Sequence, residues 1–226
     1  DANGNELKKV SLLDALYRSR YRDMLLPPPA SLKQLGAASE EKNDKSETLQ
    51  WDITHANSAV MLEERQAKAF PMFKPGQVLV SILQLHLIGV VDLEKEVFVW
   101  AAQGRWKAQH SARFQDDGTI VFFDNKGSGG VGARIMTLNP ATKQTRILVR
   151  GGKGWRLKSG ILGAVEVLPS GHLLITDSTQ NHAVEIDTKT GETVWDFKIH
   201  IPKAAAKHFD LYSMKRYSEE YFDFLR

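Results

Sequence analysis

Two segments of the chain carry histidine and asparagine side chains of the kind that hold or transfer an anion. His55 and Asn57 lie in Ile-Thr-His-Ala-Asn-Ser at residues 53–58, and His110 lies in Ala-Gln-His-Ser-Ala at residues 108–112. An imidazole can act as a nucleophile, a proton carrier or a metal ligand near neutral pH. Both segments are therefore candidates for a catalytic or binding site.

A third group of polar side chains follows His110 in the sequence. Asp124 and Asn125 end an apolar run, and Arg134 begins the next one. Because arginine and amide groups hold anions, the histidines, the arginine and the two asparagines together suit transfer of an anionic group. The alternative is that the histidines only close backbone hydrogen bonds at strand ends. No metal is predicted, since the two histidines and Asp124 lack close ligand spacing.

The elements that must position these side chains repeat along the chain. Three segments, residues 55–101, 110–150 and 163–199, each have the pattern strand, tight turn, strand, strand, turn, strand. The turn before each fourth strand begins with an Asp or Asn, namely Asp92, Asn139 and Asp187. The first two are 47 residues apart and the last two 48. Four short strands repeated at nearly constant spacing are typical of a β-propeller.

Two further features recur at equivalent positions of the three repeats. Gly76, Gly118 and Gly171 precede the apolar second strands, where glycine supplies the positive φ of a tight turn. Trp100 and Trp195 occupy matching places in fourth strands. We therefore predict an all-β fold, a β-propeller of about three four-stranded blades plus one strand of a preceding blade. The alternative is a β-sandwich whose hairpins are similar by chance.

The repeat also predicts the domain organisation. The segments are a last strand of a preceding blade at residues 1–10, a helical and disordered insertion at 11–51, three blades at 52–104, 105–152 and 153–200, and a helical, aromatic C-terminal tail at 201–226. The aromatic rings of the tail are expected to pack onto the propeller rather than bind a ligand. Because the first strand of each blade lines the central channel, His55 and His110 are expected to converge there.

Composition narrows the choice of partners. The 226 residues are 42% hydrophobic and 25% charged, with a formal net charge of +3 and no long basic block, so nucleic acid is not an expected partner. The absence of cysteine excludes disulfides and thiolate metal sites. No stretch approaches the length of a membrane span. The first residues have the pattern of a turn between strands, so any targeting segment is expected upstream.

The candidate residues lie in motifs that resemble those of the arylsulfotransferase family. The segment 52–57 looks like its Asp-x-x-His-x-Asn motif, and residues 109–110 match its Gln-His pair. Phe-Asp-Asn at residues 123–125 matches a further signature, and Gly-Ala-Arg at 132–134 is similar to its following Ser-Arg. The resemblance runs in order from about residue 52 to residue 197.

This resemblance implies a six-bladed propeller that moves a sulfuryl group between phenolic compounds through a sulfated channel histidine, without a cofactor or nucleotide donor. Its partners would be an aryl sulfate and a phenol, its remaining blades would come from missing sequence or a partner chain, and its location would be periplasmic or extracellular. Carried over by motif, the catalytic residues would be His55, His110 and Arg134, and the substrate-binding residues Asn57, Asp124 and Asn125.

Two departures keep other functions open. Leu83 stands where the family often has an arginine, and Leu-Gly-Ala at residues 162–164 offers no further histidine. The main alternative is a non-catalytic propeller that serves as a binding or scaffold module, and fold alone does not decide between the two. A carbohydrate- or surface-binding module is a third interpretation, which rests only on the loops.

Overall fold

The structure is a computed structural model that describes residues 3–25, 54–127, 129, 132–200 and 211–225. The chain divides into two compact units, Asp1–Gly104 and Arg105–Arg226. The described part of the first unit contains one four-stranded antiparallel sheet, and that of the second contains two. In each sheet the strands are hydrogen-bonded in chain order, which is the up-and-down arrangement of a propeller blade.

The first sheet is formed by runs of β-branched and apolar residues that pack on both faces. Its outer connection, between the first two strands, contains the short helix α2, Glu64–Ala67. Its strands are β1 (Ala56–Met61), β2 (Val78–Ile82), β3 (Leu87–Asp92) and β4 (Val97–Gln103).

One face of the first sheet is covered by a preceding segment of the same unit. Helix α1, Leu12–Tyr17, begins at Ser11, whose hydroxyl accepts a hydrogen bond from the Asp14 amide, and a 3₁₀ helix follows at Arg22–Leu25. Leu16 of α1 is buried against aliphatic side chains of β2 and β3. The burial of these apolar groups holds α1 on the sheet.

The second unit contains two further sheets. A short two-stranded hairpin, β9 (Gly151–Gly152) and β10 (Trp155–Arg156), separates them in the chain. The strands of the second sheet are β5 (His110–Phe114), β6 (Ile120–Asp124), β7 (Arg134–Leu138) and β8 (Thr145–Val149). The strands of the third sheet are β11 (Ala164–Val167), β12 (Leu173–Asp177), β13 (His182–Ile186) and β14 (Thr193–Lys198).

The second and third sheets pack face to face through aliphatic and aromatic side chains. Val121 and Phe123 of β6 belong to the same buried cluster as Val165 of β11, Ile175 of β12 and Val184 of β13. Their period-two spacing in each strand leaves the alternate residues on the opposite face. This cluster is the core of the second unit.

The turn predicted as a register mark is confirmed in all three sheets. Asp92, Asn139 and Asp187 each use Oδ1 to accept backbone N–H groups two and three residues further on, at 2.7 to 3.4 Å. In such an Asx turn the side-chain oxygen, rather than a backbone carbonyl, accepts the two N–H groups that follow the third strand. The equivalent places of Trp100 and Trp195 are also confirmed, since each pairs with the residue two before the turn Asp.

Other predictions fall on the ends of the chain. Residues 1–10 are predicted as the last strand of a preceding blade; their described part, residues 3–10, is not in a strand, and the assignment stays a prediction. The helical part of the insertion, predicted up to about Leu26, contains α1 and the 3₁₀ helix Arg22–Leu25. Residues 26–53 and 201–210 lie outside the described residues. None of the described helices is long and apolar enough to cross a membrane.

Candidate functional site

His110 is the first residue of β5 and is 6% exposed. It pairs with Phe123 of β6, and the register then shifts before Arg113. A β-bulge of this kind bends a strand and changes the direction of a side chain, and bulges are common beside active sites. Ser111 in the bulge has φ +55 and bonds through its hydroxyl to both the N–H and the carbonyl of Val165 in β11. The bulge is thereby joined to the first strand of the next sheet.

The orientation of the His110 ring is set by two carbonyl oxygens. Its Nδ1 lies 3.0 Å from the backbone carbonyl of Ala108 and 2.9 Å from Oδ1 of Asn125. The Asn125 amide is itself oriented, because its Nδ2 donates to the backbone carbonyls of Ser159 at 2.8 Å and Leu162 at 2.6 Å. Because the Ala108 carbonyl and Asn125 Oδ1 are both acceptors, Nδ1 carries the proton that it donates to them, and in the neutral ring the lone pair is on Nε2.

Two of these acceptor carbonyls belong to residues in the left-handed region. Ala108 has φ +52 and Leu162 has φ +59. This conformation costs an ordinary L-residue roughly 1 to 2 kcal/mol, and such residues cluster at functional sites. Sequence reasoning did not identify Ala108, Ser159 or Leu162, because backbone carbonyls leave no residue-type signal. Residues 162–164, where the sequence has no further histidine, instead supply the backbone carbonyl of Leu162 as an acceptor for Asn125.

Asp124 and Arg134 form a second, buried network beside the first. Asp124 is fully buried, and its Oδ1 accepts the backbone N–H groups of Lys107 and Gly127, both at 2.9 Å. Its Oδ2 accepts from Nε of Arg134 at 2.7 Å, and Nη2 of Arg134 donates to the carbonyl of Arg105 at 2.9 Å. The pair is therefore compensated in charge and connects the segment before β5 to the end of β6.

The third sheet contains a counterpart of this network. Asp177 ends β12 as Asp124 ends β6, and its Oδ2 accepts the backbone N–H of Lys158 at 2.6 Å and Nε2 of Gln180 at 2.6 Å. In both sheets a carboxylate at the end of the second strand receives an amide from the segment that precedes the first strand. Part of the Asp124 network is thus a feature of the repeat.

His55 and Asn57 belong to the other unit. His55 directly precedes β1, is exposed, has φ +41, and its carbonyl accepts from the Leu83 amide at 3.2 Å. Asn57 lies in β1 at a register shift like that of His110 in β5. The structure brings His110 to Asn125 and Asp124 to Arg134. Convergence of His55 with His110 stays a prediction, as do the roles assigned to all six residues.

Sheets of four antiparallel strands in chain order, repeated with the same Asx turns, define a β-propeller protein, of which about three blades are present. The chain belongs to the arylsulfotransferase family, because the family model described as Arylsulfotransferase (ASST) matches residues 2–200. Both predictions are thereby confirmed. Comparison with curated proteins gives no match.

Several solved structures are similar to parts of the chain. The WD40 β-propeller domain of Doa1 is 11% identical over 64% of this chain, with a TM-score of 0.45. Virginiamycin B lyase from Staphylococcus aureus is 19% identical over 56% of this chain, with a TM-score of 0.40. BamB from Moraxella catarrhalis is 14% identical over 62% of this chain, with a TM-score of 0.33. The chain spans 40%, 39% and 35% of the lengths of these three proteins.

Proposed function

We propose that the chain contributes a histidine site for nucleotide-independent transfer of a sulfuryl group between phenolic compounds, with His110 as the residue that carries the group. The observation that supports this most is the pair of carbonyl acceptors on His110 Nδ1. They place the lone pair on Nε2, which is what a nucleophilic imidazole requires. Membership of the arylsulfotransferase family supports the same chemistry.

The transfer has two balanced steps in this proposal. Nε2 of His110 attacks the sulfur of an aryl sulfate, the S–N bond forms, the S–O(aryl) bond breaks, and the electron pair leaves on the phenolate oxygen. An acceptor phenol then gives its proton to the released phenolate, directly or through water, attacks the sulfur through its oxygen, and displaces Nε2 as the S–N bond breaks. The ring gains positive charge while it carries the sulfuryl, and the Nδ1–H bonds to Asn125 and Ala108 stabilise that charge.

The remaining predicted residues act around this centre. We assign Asp124 and Arg134 to positioning, because their mutual bond and their bonds to Arg105, Lys107 and Gly127 fix the backbone next to Asn125. His55 and Asn57, which carry the corresponding motif of the first blade, are proposed to bind the aryl sulfate. Nothing in this scheme needs a nucleotide or a metal ion.

The test uses 4-nitrophenyl sulfate as donor and phenol as acceptor, with release of nitrophenolate as the readout. His110→Ala should lower the rate by roughly a hundredfold or more, since it removes the nucleophile. His200→Ala is the matched control, because His200 is exposed and outside both networks. Mass spectrometry of the protein quenched at alkaline pH should find one added sulfuryl group on the peptide that contains His110.

A non-catalytic binding module is the second candidate, and one observation favours it. His110 and Asn125 are buried and fit their backbone acceptors well, as purely structural residues do. If wild-type protein of native stability releases no nitrophenolate and carries no sulfuryl group, the catalytic proposal is wrong. Activity that survives in a folded His110→Ala protein would transfer the role to another histidine, with His55 the first to test.

A further inference from the structure

The C-terminal residues 211–217, here called the strap, lie on the face of the third sheet opposite the one packed on the second sheet. The amide of Leu211 donates to Oδ1 of Asn181 at 2.7 Å, and that of Met214 donates to Oγ1 of Thr176 at 2.9 Å. The amide of Arg216 donates to Oε2 of Glu166 at 3.2 Å. Three backbone bonds thus hold the strap across the sheet, two to strand side chains and one to Asn181 in the connection between β12 and β13.

The face under the strap differs from the one packed on the second sheet. Glu166, Leu174, Glu185 and Trp195 lie in one register row that crosses all four strands. On the opposite face the neighbouring row is aliphatic in the first three strands, at Val165, Ile175 and Val184 of the core, and it ends at Asp196 in β14. Two carboxylates and an indole make this row amphipathic, so it is suited to a polar aromatic partner rather than to a plain hydrophobic layer.

A cavity of about 320 Å³ lies between the strap and this row. Leu174 forms its floor and the rings of Trp195, Tyr217 and Phe222 contribute to its walls. Tyr217 and Phe222 remain 46% and 43% exposed, although they contact each other edge to face. Exposed aromatic groups around a concavity of this size are the usual composition of a small-molecule site.

The charges around the cavity leave one cation uncompensated. Arg216 lines the cavity, but its guanidinium lies 2.5 Å from Oε2 of Glu185 and over the Trp195 ring at 5.7 Å. Glu185 also accepts from His172, and Glu166 is compensated in part by Arg113. Lys215 lines the same cavity, is exposed, and forms no ion pair with any carboxylate in the described part of the chain.

We propose that this cavity binds an aromatic anion, with the ring stacked among Trp195, Tyr217 and Phe222 and the anionic group on the ammonium of Lys215. Stacking and one charge-assisted hydrogen bond would together select a ligand that has both parts. The site shares no residue with the His110 network and does not depend on sulfuryl transfer. The tail rings, which were predicted to pack onto the propeller rather than bind a ligand, would in this proposal do both.

The experiment is an NMR titration of the ¹⁵N-labelled full chain, with the Trp195 indole N–H resonance as reporter, assigned through Trp195→Phe. The probes are 2-naphthyl sulfate, inorganic sulfate and neutral 2-naphthol. We expect saturable shifts with 2-naphthyl sulfate at concentrations where the other two cause none. Equal shifts with inorganic sulfate or with 2-naphthol, or none with 2-naphthyl sulfate, would refute the aromatic-anion site.

Variants separate this site from the proposed active site. Lys215→Ala should weaken binding of 2-naphthyl sulfate about tenfold, the effect of one charge-assisted bond, and Lys215→Arg should restore most of it. Neither change removes a bond that anchors the strap. Lys189→Ala, a lysine in a turn away from the cavity, and His110→Ala should both leave the affinity unchanged. Unaltered binding in Lys215→Ala would show that the cation is not part of the site.

Discussion

The protonation of His110 depends on an amide whose own orientation is set by two backbone carbonyls. In Asn125→Asp, a carboxylate oxygen would face the carbonyls of Ser159 and Leu162 in place of an NH₂ group. A buried charge that faces two acceptors and keeps only the His110 N–H as a donor should reduce the free energy of unfolding by about 3 to 5 kcal/mol. Urea denaturation followed by tryptophan fluorescence measures this. A loss below about 1 kcal/mol would mean that the amide is not clamped in this way.

The isosteric leucine replacement tests the tautomer. Asn125→Leu removes one of the two acceptors on Nδ1 and keeps the Ala108 carbonyl, so the preference of His110 for a proton on that nitrogen should weaken. ¹⁵N chemical shifts of labelled histidine, recorded well above the pKa of imidazole, distinguish the two neutral tautomers. Wild-type protein should have a single Nδ1–H form at His110, and the variant a mixture. Identical shifts in both proteins would exclude Asn125 as the determinant.

For individual residues, the sequence indicates which side chains belong to the candidate site. It is much less informative about the atoms that those side chains contact. His110, Asn125, Asp124 and Arg134 stand out through their residue types and motifs. Their partners are mostly backbone atoms in loops, such as the carbonyl of Leu162 and the amide of Lys107. Neither leucine nor alanine favours the left-handed conformation that Leu162 and Ala108 adopt, so no local preference predicts it.

The Asx turn at the end of each third strand is the element that recurs most regularly. Asp92 accepts from the amides of Glu94 and Lys95 through Oδ1 and from the Gln77 side chain through Oδ2. Asp92→Ala should cost about 1 to 3 kcal/mol, since it leaves these donors unsatisfied. Asp92→Asn should cost less, because Asn139 already forms the same turn in the second sheet. Equal losses would contradict the role of Oδ1.

The same carboxylate should make stability depend on pH. The Lys95 amide, helped by the Gln77 and Glu94 donors and opposed by burial, lowers the pKa of Asp92 from its ordinary value of 3.8. The stabilisation is therefore complete above that value and disappears as pH falls through the lowered folded pKa. The difference in unfolding free energy between wild type and Asp92→Asn should be constant from neutral pH to about pH 5 and shrink in stronger acid. A difference that grows on acidification would contradict this sign.

Strands and turns were predictable because their signals are local. Continuous apolar runs and turn glycines are enough to find strands such as β6 and β12. The hairpin of β9 and β10 was not predicted, since its two-residue strands carry no periodic pattern. Helix α2 was missed for the same reason, being only four residues long.

At the scale of the molecule, the repeat predicts the number of sheets but not how closely they approach. Gly163, just before β11, has φ +102, and a Cβ there would meet the Phe123 ring of the second sheet at 2.9 Å. Gly171 has φ +83 in a turn where a Cβ would meet nothing within 4 Å. The sequence shows two glycines near strand starts, and only the packed structure distinguishes their functions.

This pair provides a matched test of the contact between sheets. Gly171→Ala should cost about 1 kcal/mol through its backbone conformation alone. Gly163→Ala should cost about 1 to 3 kcal/mol more, because the added methyl group forces the Phe123 ring or the third sheet to move. Urea midpoints of the two variants and wild type, measured together, give the difference. If both variants lose the same amount, the ring accommodates the methyl group and the sheets are not held at this distance by Gly163.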